Sequence, residues 1–364
     1  MEIREFLKDF KPYEWELSNE QISTKTGLSV NRIIRFDTNT SPYPPTEVLN
    51  KLSSILLKLK VNEYPDTSYT EIRNYLSEYT NIDRDQIVLT NGADEALDII
   101  AKVFIDNGTN ALISAPTYSM YRVCVEILNG EIIPIFRSED FSDNVDKIIE
   151  SFSEKTRVVF LCSPNNPTGN ISKRKAIIRL LEELKCPIVI DESYFEFSKK
   201  TVADLISKYQ NLVIVRTFSK AFGLAGARIG YILSSKELCN LFNKVRPPNS
   251  VSIISFALAK LALESLDVME KNVKEIIKER ERISRDLMKT NKIHVYPSEA
   301  NFILIKFLNV DALKIHKELL NRGIVTRNVS NMPMLKNCLR ITIRTYDENN
   351  ILLNNIYEIL KMYA

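Results

Sequence analysis

Short apolar runs alternate with longer amphipathic stretches through the middle of the chain, between residues 46 and 248. Runs of this length predict buried strands, and the intervening stretches have the spacing of helices with one apolar face. The predicted strands cover residues 87–90, 111–114, 132–136, 157–162, 187–190, 212–216 and 230–233. The alternation predicts an α/β fold in which one wide, mostly parallel, seven-stranded sheet lies between helices.

The pattern changes after the double proline of "RPPNSVS", at residues 246–252. Residues 255–289 have an apolar stripe that predicts one long, kinked helix. Strands predicted at 292–296, 301–307 and 339–343, around a helix at 311–321, indicate a smaller α+β domain.

The first 45 residues predict an arm rather than a domain, because a short charged helix leads into the proline-rich "NTSPYPP". We expect this arm to pack with the small domain or with a dimer partner. The predicted division is therefore 1–45 for the arm, 46–248 for the large domain and 249–364 for the small domain.

Composition narrows the possible functions. The chain has 364 residues, and 49 Lys and Arg against 46 Asp and Glu leave a net charge of +3. So small a charge on so large a surface predicts neither a nucleic-acid nor a membrane partner. The five cysteines are scattered without a CxxC pair, which predicts no disulfide framework and no metal site. No apolar run approaches the ~18 residues of a membrane span, so we expect a cytoplasmic protein.

The stretch "TFSKAFGLAGARIG", at 217–230, holds three of the nine glycines of the chain. Lys220 follows a predicted buried strand, Thr217 and Ser219 supply hydroxyl groups, and Arg228 adds a permanent cation. The glycines, Gly223 and Gly226 in particular, are expected to allow close approach of backbone. A lysine after a strand is by itself more often structural or solvated, but these neighbours indicate an anion pocket at the rim of the sheet.

A second anion-binding feature is "LTNGADEALDIIAKVF", at 89–104. Apolar residues at helical spacing follow Gly92, Ala93 and Asp94, which places these three at a helix N-terminus. Free N–H groups and the helix dipole attract phosphate there. The alternative is an ordinary helix capped by an aspartate.

Two further segments end predicted strands with polar residues. In "CSPNNPTG", at 162–169, the prolines and glycine enforce a turn that places Asn166 at the rim of the sheet. Asp191 ends an apolar strand, so its carboxylate is either paired or at a functional rim, because an unpaired buried charge is costly. A turn or helix-capping aspartate is the alternative.

The motifs "PNNPTG", "DESY" and "TFSKAFGLAGARIGY", in this order, resemble those of the fold-type-I pyridoxal-phosphate aminotransferases. The resemblance extends over nearly the whole chain, from "NTSPYPP" to "LRITIRT". It implies the aspartate-aminotransferase-like fold and pyridoxal 5'-phosphate as the cofactor.

The resemblance also implies a role for each matching residue. Lys220 is expected to bond the cofactor aldehyde and to serve as the catalytic base, and Asp191 to pair with the ring nitrogen. Asn166 and Tyr194 match donors to the phenolic oxygen of the ring, and Tyr118 matches the aromatic residue that stacks on it. The expected phosphate site is formed by Gly92, Ala93, Asp94, Thr217, Ser219 and Arg228. Tyr64 resembles a tyrosine that reaches the cofactor phosphate of a neighbouring subunit, which implies a homodimer with shared active sites.

The finer likeness is to the histidinol-phosphate aminotransferases, through "NGADEALD", "APTYSMY", "VRPP" and "NFILIKF". It implies that Arg340 binds a substrate carboxylate, that Arg327 binds the substrate phosphate and that Tyr43 contacts the substrate. Glutamate and 2-oxoglutarate are the implied partner substrates. The chain departs from the subfamily in "RITIR", where Arg344 adds a cation, in Glu63 before "YPD", and in "SPYP".

Other readings remain open at this point. Within the family they are an aromatic or broad-range aminotransferase and a lyase similar to threonine-phosphate decarboxylase. A non-catalytic protein that keeps the fold for binding is a remote third. A nicotinamide-binding enzyme requires GxGxxG after an early strand, which "NGADEA" does not supply.

Overall fold

The computed structural model describes residues 3–363 and contains two sheets. The strands are β1 (Ile34–Phe36), β2 (Ile87–Thr90), β3 (Asn110–Ala115), β4 (Glu131–Phe136), β5 (Thr156–Cys162), β6 (Ile188–Asp191), β7 (Leu212–Thr217), β8 (Gly230–Ser234), β9 (Ile293–Val295), β10 (Phe302–Phe307), β11 (Ile324–Asn328) and β12 (Cys338–Thr342). The helices are α1 (Asn19–Thr26), α2 (Thr46–Ile55), α3 (Thr70–Thr80), α4 (Gly92–Phe104), α5 (Met120–Glu126), α6 (Val145–Glu150), α7 (Arg174–Glu183), α8 (Phe195–Ser198), α9 (Lys236–Val245), α10 (Ile253–Leu263), α11 (Leu266–Met288), α12 (Ala312–Asn321) and α13 (Tyr346–Met362).

The larger sheet has seven strands in the order β2-β8-β7-β6-β5-β3-β4. All seven predicted strands are confirmed, as is the mostly parallel arrangement, because only β8 runs antiparallel to its neighbours β2 and β7. The central strands are apolar on both faces, since each face packs against a different buried cluster. Continuous apolar runs rather than alternating ones are what such a doubly covered parallel sheet requires.

The smaller sheet has five strands in the order β1-β11-β12-β10-β9. Two of them are additions to the three predicted strands. The strand β1 comes from the N-terminal arm and pairs in parallel with β11, with Ile34 opposite Ile324. It has only three residues, and β11 ends in the polar Arg327 and Asn328, so neither has the apolar run that predicts a strand.

The prediction of one long helix at residues 255–289 is wrong in detail. The chain leaves helical geometry at Ser265, where φ is −132° and ψ is 47°, and the stretch forms two helices, α10 and α11. The Ser265 hydroxyl accepts a hydrogen bond from Lys51 Nζ at 2.7 Å. Hydroxyl side chains that bond outside the helix favour such breaks.

The antiparallel direction of β8 brings two motifs together. Gly230, the first residue of β8, lies opposite both Thr90 at the end of β2 and Thr217 at the end of β7. A Cβ atom at Gly230 would lie 2.8 Å from the carbonyl carbon of Gly92 and 2.9 Å from the nitrogen of Ala93. Glycine therefore allows the start of α4 to approach the turn that carries Lys220.

Candidate active site

The carboxyl ends of β5, β6 and β7 and the start of α4 surround a cavity of about 250 Å³. Parallel strands place such a crevice at this edge of the sheet. Eleven of the predicted site residues line it, namely Ala93, Asp94, Tyr118, Asn166, Asp191, Tyr194, Thr217, Ser219, Lys220 and Arg228, and Arg340 from the smaller sheet. The sequence motifs thus converge on one cavity.

Lys220 has its amine inside this cavity, where Nζ donates to the carbonyl oxygen of Thr38 at 3.4 Å. The pKa of Lys220 is lowered from 10.5 to about 8, chiefly by burial and then by the cations Arg340 and Arg228, while the carboxylates of Asp94 and Asp191 oppose the shift. Removal of an ammonium group from water favours its neutral form. The lowered pKa increases the uncharged fraction of the amine near neutral pH, and the uncharged amine is the form that acts as a nucleophile.

Asp191 is buried at the end of β6, and its carboxylate is held by neutral donors. Oδ1 accepts from the backbone nitrogen of Ser193 at 3.0 Å and from its hydroxyl at 2.6 Å, and Oδ2 accepts from the Tyr121 hydroxyl at 2.8 Å. Burial raises the pKa of Asp191, while these hydrogen bonds oppose the rise. Within residues 3–363, no lysine, arginine or histidine forms an ion pair with it. A cationic N–H in the cavity would offset that buried charge, so the site suits a protonated ring nitrogen.

Arg340, on β12, is buried without an acidic partner among the described residues. Nη1 donates to Asn166 Oδ1 at 2.7 Å, Nη2 donates to the Asp37 carbonyl oxygen, and the buried Nε has no partner there. Burial lowers the pKa of Arg340. A buried guanidinium with spare donors is suited to a carboxylate or phosphate ligand.

The start of α4 forms the other end of the cavity. The residue before the helix, Asn91, makes no side-chain capping hydrogen bond, so the alternative of an ordinary aspartate-capped helix does not hold. Instead, Asp94 pairs with Arg228 at 3.0 Å and accepts from the Tyr118 hydroxyl at 3.0 Å. The uncapped helix N-terminus and Arg228 together make a site for an anion such as phosphate.

The hydroxyl groups of Thr217 and Ser219 lie 3.0 Å apart beside this helix end, and Arg228 Nη1 lies 3.5 Å from Ser219 Oγ. Gly92 does not line the cavity but starts α4 with a φ of +83°. A side chain there would also meet Arg228, whose Nη2 lies 2.6 Å from the position of an added Cβ. Gly92 therefore shapes this end of the cavity through its backbone conformation.

A second cavity, of about 210 Å³, adjoins the first on the side of the smaller sheet. Tyr118, Asn166 and Arg340 line both cavities, and Arg327 lines only the second. Arg327 forms an ion pair with Glu16 of the arm, at 3.2 Å, and donates to the Glu14 carbonyl oxygen at 3.4 Å. The two substrate arginines predicted from the resemblance therefore lie on one continuous surface.

Some predicted site residues lie elsewhere. Tyr64 is 85% exposed and lines neither of the two cavities. Tyr43 lines neither cavity, because its ring packs against the main apolar core, where burial raises its pKa and Glu275 and Glu279 raise it further. The expectation that Tyr43 contacts substrate from within this chain is not supported by its position.

Two smaller expectations from the sequence are also wrong. Arg344 adds no free cation to the site, because it pairs with Glu348 at 2.7 Å. Gly226 is not a point of close approach, since an added Cβ would meet nothing within 4 Å. The tight contacts are at Gly230 and at Gly223, where the Tyr43 carbonyl oxygen lies 3.1 Å from an added Cβ.

Sequence reasoning missed the contributions of the arm. Tyr13 and Glu16 line the first cavity, as do residues 37–40. The Tyr13 hydroxyl donates to Glu16 at 3.1 Å, and burial and then Glu16 raise the pKa of Tyr13 to about 12. The charged and aromatic residues of "PYEWEL" are a signal for an interaction surface. No local pattern indicates, however, that Glu16 in this segment contacts Arg327, more than 300 positions later.

Within the part of the chain that the structure describes, no group of three His, Cys, Asp or Glu side chains is placed to hold a metal ion. Over the same residues, no helix is both long and apolar enough to cross a bilayer.

Comparison with known proteins agrees with this geometry. The family described as aminotransferase class I and II matches residues 23–356, and the chain belongs to that family. The expected fold, the class of enzyme and the dependence on pyridoxal phosphate are thereby confirmed.

Individual relatives and solved structures show which members of the family the chain is similar to. A histidinol-phosphate aminotransferase of Caldanaerobacter subterraneus subsp. tengcongensis is 38% identical over 360 residues, which cover 98% of each chain. The crystal structure of histidinol-phosphate aminotransferase from Sinorhizobium meliloti in complex with pyridoxal-5'-phosphate has a TM-score of 0.87 at 24% identity, covering 97% of this chain and 96% of that one. The L-threonine-O-3-phosphate decarboxylase of Porphyromonas gingivalis has a TM-score of 0.79 at 25% identity, covering 90% of this chain and 100% of that one.

Proposed function

We propose that this chain is a histidinol-phosphate aminotransferase, which transfers an amino group between L-histidinol phosphate and 2-oxoglutarate in histidine biosynthesis. The observation that carries the proposal is the arrangement of two arginines, Arg327 and Arg340, beside a cavity that holds Lys220 and Asp191. The full-length similarity to enzymes of that name supports it.

The first cavity would hold pyridoxal phosphate. Its phosphate would lie at the start of α4, against Ala93, Asp94, Thr217, Ser219 and Arg228, with the ring between Tyr118 and the residues on β6 and β7. Asn166 and Tyr194 would donate to the ring oxygen. Asp191 would keep the ring nitrogen protonated, because a buried carboxylate without a cation favours a proton on its neighbour. When bound, this cofactor supplies an electron sink that makes the substrate Cα–H acidic.

Lys220 would hold the cofactor and move the proton at the substrate Cα. Its pKa of about 8 suits that task, since a base works best when its pKa lies near the working pH. Tyr194 and Arg340 flank it and restrict where a substrate can lie. The two substrates would use the same groups in turn, so ping-pong kinetics are expected.

Substrate choice would depend on the second cavity. Histidinol phosphate carries a dianionic phosphate where an amino acid carries a carboxylate, and two arginines with the Asn166 amide suit that charge. The same arginines would bind the two carboxylates of 2-oxoglutarate. An aromatic amino acid has only one anionic group, so it would engage only one of the two arginines and would gain less affinity from them.

We further propose that the chain acts as a homodimer with shared active sites. Leu57 is fully exposed, and Val61 and Tyr64 are 64% and 85% exposed. Apolar side chains clustered this way on one segment are typical of a contact surface. In a dimer Tyr64 would reach the cofactor phosphate of the partner. We also propose the domain division at 1–45, 46–248 and 249–364, and a cytoplasmic location.

The spectrum of the cofactor tests the substrate assignment. We expect micromolar L-histidinol phosphate to convert the bound cofactor to its amino form, and L-phenylalanine to do so only at far higher concentration. An equal response to phenylalanine would indicate a broad-range enzyme. Release of carbon dioxide from O-phospho-L-threonine would indicate the lyase, which is the activity in the name of the Porphyromonas gingivalis protein.

A further inference from the structure

Three site side chains from distant parts of the chain contact one short segment of the arm, residues 37–39. Arg340 Nη2 donates to the carbonyl oxygen of Asp37, and Lys220 Nζ donates to that of Thr38 at 3.4 Å. Asn39 Nδ2 donates to the Tyr194 hydroxyl oxygen at 3.0 Å. Because Tyr194 follows β6, and Arg340 lies on β12, the segment joins the two sheets at the site.

Asn39 has all four of its polar atoms partnered. Its backbone nitrogen donates to Thr342 Oγ1 at 2.9 Å, and its carbonyl oxygen accepts from Asn301 Nδ2 at 2.9 Å. Its side-chain oxygen accepts from Thr342 Oγ1 at 3.0 Å. The residue is 1% exposed and has a φ of +53°, a left-handed conformation that asparagine tolerates better than most residues. Such full pairing fixes the side chain in one place.

The direction of these bonds decides the direction of the Tyr194 proton. Thr342 Oγ1 already accepts from the Asn39 backbone, and its own proton needs an acceptor because the residue is fully buried. The Asn39 side-chain oxygen is that acceptor, so the amide nitrogen faces Tyr194. The Tyr194 oxygen therefore accepts from Asn39, and its proton is left for a partner in the cavity.

We infer that Asn39 is a positioning residue, which orients the Tyr194 hydroxyl so that its proton points into the cavity toward the ring oxygen of the cofactor. The inference rests on the proposed function, in which Tyr194 donates to that oxygen. It adds a reason why a residue of the arm, over 150 positions before Tyr194, belongs to the site.

The charged and titratable groups around Tyr194 are Arg340, Lys220, Asp191 and Cys162. Burial raises the pKa of Tyr194, while Arg340 and the bond from Asn39 oppose the rise. These groups stay the same when Asn39 changes, so Asn39→Asp differs from the wild type only in the bond to Tyr194 and in the charge of residue 39.

The test is the pH midpoint of the visible absorption of the bound cofactor in Asn39→Asp. The aspartate has the same shape but accepts where the amide donates, so it turns the Tyr194 proton away from the cavity. A donor to the ring oxygen stabilises its negative charge and so favours loss of the neighbouring proton. We therefore expect the midpoint to rise by about one pH unit, the size of a lost hydrogen bond to a charged group.

A double variant separates orientation from the added charge. In Tyr194→Phe there is no phenolic proton to orient, so Asn39→Asp should add little to the midpoint of that variant. An equal rise with and without the Tyr194 hydroxyl would overturn the inference, since charge alone would then explain it.

A neutral pair of variants covers the case in which Asn39→Asp does not fold. Thr342→Val removes the hydroxyl that holds the Asn39 amide and is expected to raise the midpoint, whereas Thr342→Ser keeps it and is not. Equal midpoints in Val and Ser variants would count against the inference. A wild-type chain that binds no pyridoxal phosphate would instead overturn the proposed function, and this inference with it.

Discussion

Glu16 of the N-terminal arm forms an ion pair with Arg327 of β11, at 3.2 Å, beside the cavity that carries Arg340. The two side chains are 28% and 23% exposed, so the pair is only partly shielded from water. In the proposed function Arg327 binds the substrate phosphate. The carboxylate of Glu16 then occupies the place of the substrate anion and must yield to it.

We therefore expect Glu16→Gln to lower the KM for the phosphorylated substrate about three- to tenfold. That range corresponds to a partly exposed ion pair of about 1 kcal/mol. Initial-rate kinetics with L-histidinol phosphate measure it. Glu14→Gln is the matched control, because Glu14 contacts Arg327 only through its carbonyl oxygen. A higher KM in Glu16→Gln would show instead that Glu16 helps to bind substrate.

Lys220→Ala is expected to abolish turnover and to leave no cofactor covalently bound after borohydride reduction, because the cavity then lacks the amine that bonds an aldehyde. Mass spectrometry of the reduced protein detects the adduct. Lys208→Ala removes an exposed lysine and should keep the adduct. An adduct that survives in Lys220→Ala would show that a different lysine bonds the cofactor.

The pKa of Lys220 predicts how the chain without cofactor responds to pH. The rate of pyridoxal phosphate uptake should rise with pH and level off above about 8 rather than near 10.5, as the amine becomes neutral. Between these two values the folded chain binds fewer protons at Lys220 than the unfolded chain. Its free energy of unfolding should therefore rise with pH through this window, relative to Lys220→Met. Stopped-flow absorbance and urea unfolding measure the two effects, and an uptake rate still rising steeply at pH 10 would contradict the assigned pKa.

Gly230→Ala tests the contact between β8 and the start of α4. The new Cβ would lie 2.8 Å from the Arg216 carbonyl oxygen and 2.8 Å from the Gly92 carbonyl carbon, both of them backbone atoms. Overpacking of this kind costs about 1 to 3 kcal/mol, and the shift should also weaken pyridoxal phosphate binding. Gly226→Ala, with nothing within 4 Å of the new Cβ, should change neither quantity. Urea unfolding and cofactor titration compare the two variants. Equal stability and equal cofactor affinity in Gly230→Ala and Gly226→Ala would exclude a packing role for Gly230.

The sequence predicts well those parts of the molecule whose signals are local. The strands of the larger sheet are continuous apolar runs, and their ends carry Asn166, Asp191 and Lys220, so strands and site residues were both predictable. The start of α4 follows in the same way from Gly92 and the helical spacing after it.

What the sequence does not predict depends on long-range contacts between polar residues. The strand β1 has too few apolar residues to indicate a strand, and Asn39 stands in a polar "DTNT" that predicts only a turn. The position of each is set by partners on β11 and β12, about 290 to 303 residues away. Tyr43 lies outside both cavities for the opposite reason, since its partly buried aromatic ring packs against the apolar core.

The pairing of β1 with β11 also bears on how the enzyme is made. The arm leaves the ribosome well before the strand beside which it must lie, because about 290 residues separate the two. Contacts of such high sequence separation form late, because a long loop must close before they are gained. A nascent chain stalled before β11 can already hold the complete larger sheet, with Lys220 and Asp191 in place, but it lacks Arg327 and Arg340, the two arginines proposed to bind substrate. Competence to bind the cofactor would therefore precede competence to select a substrate.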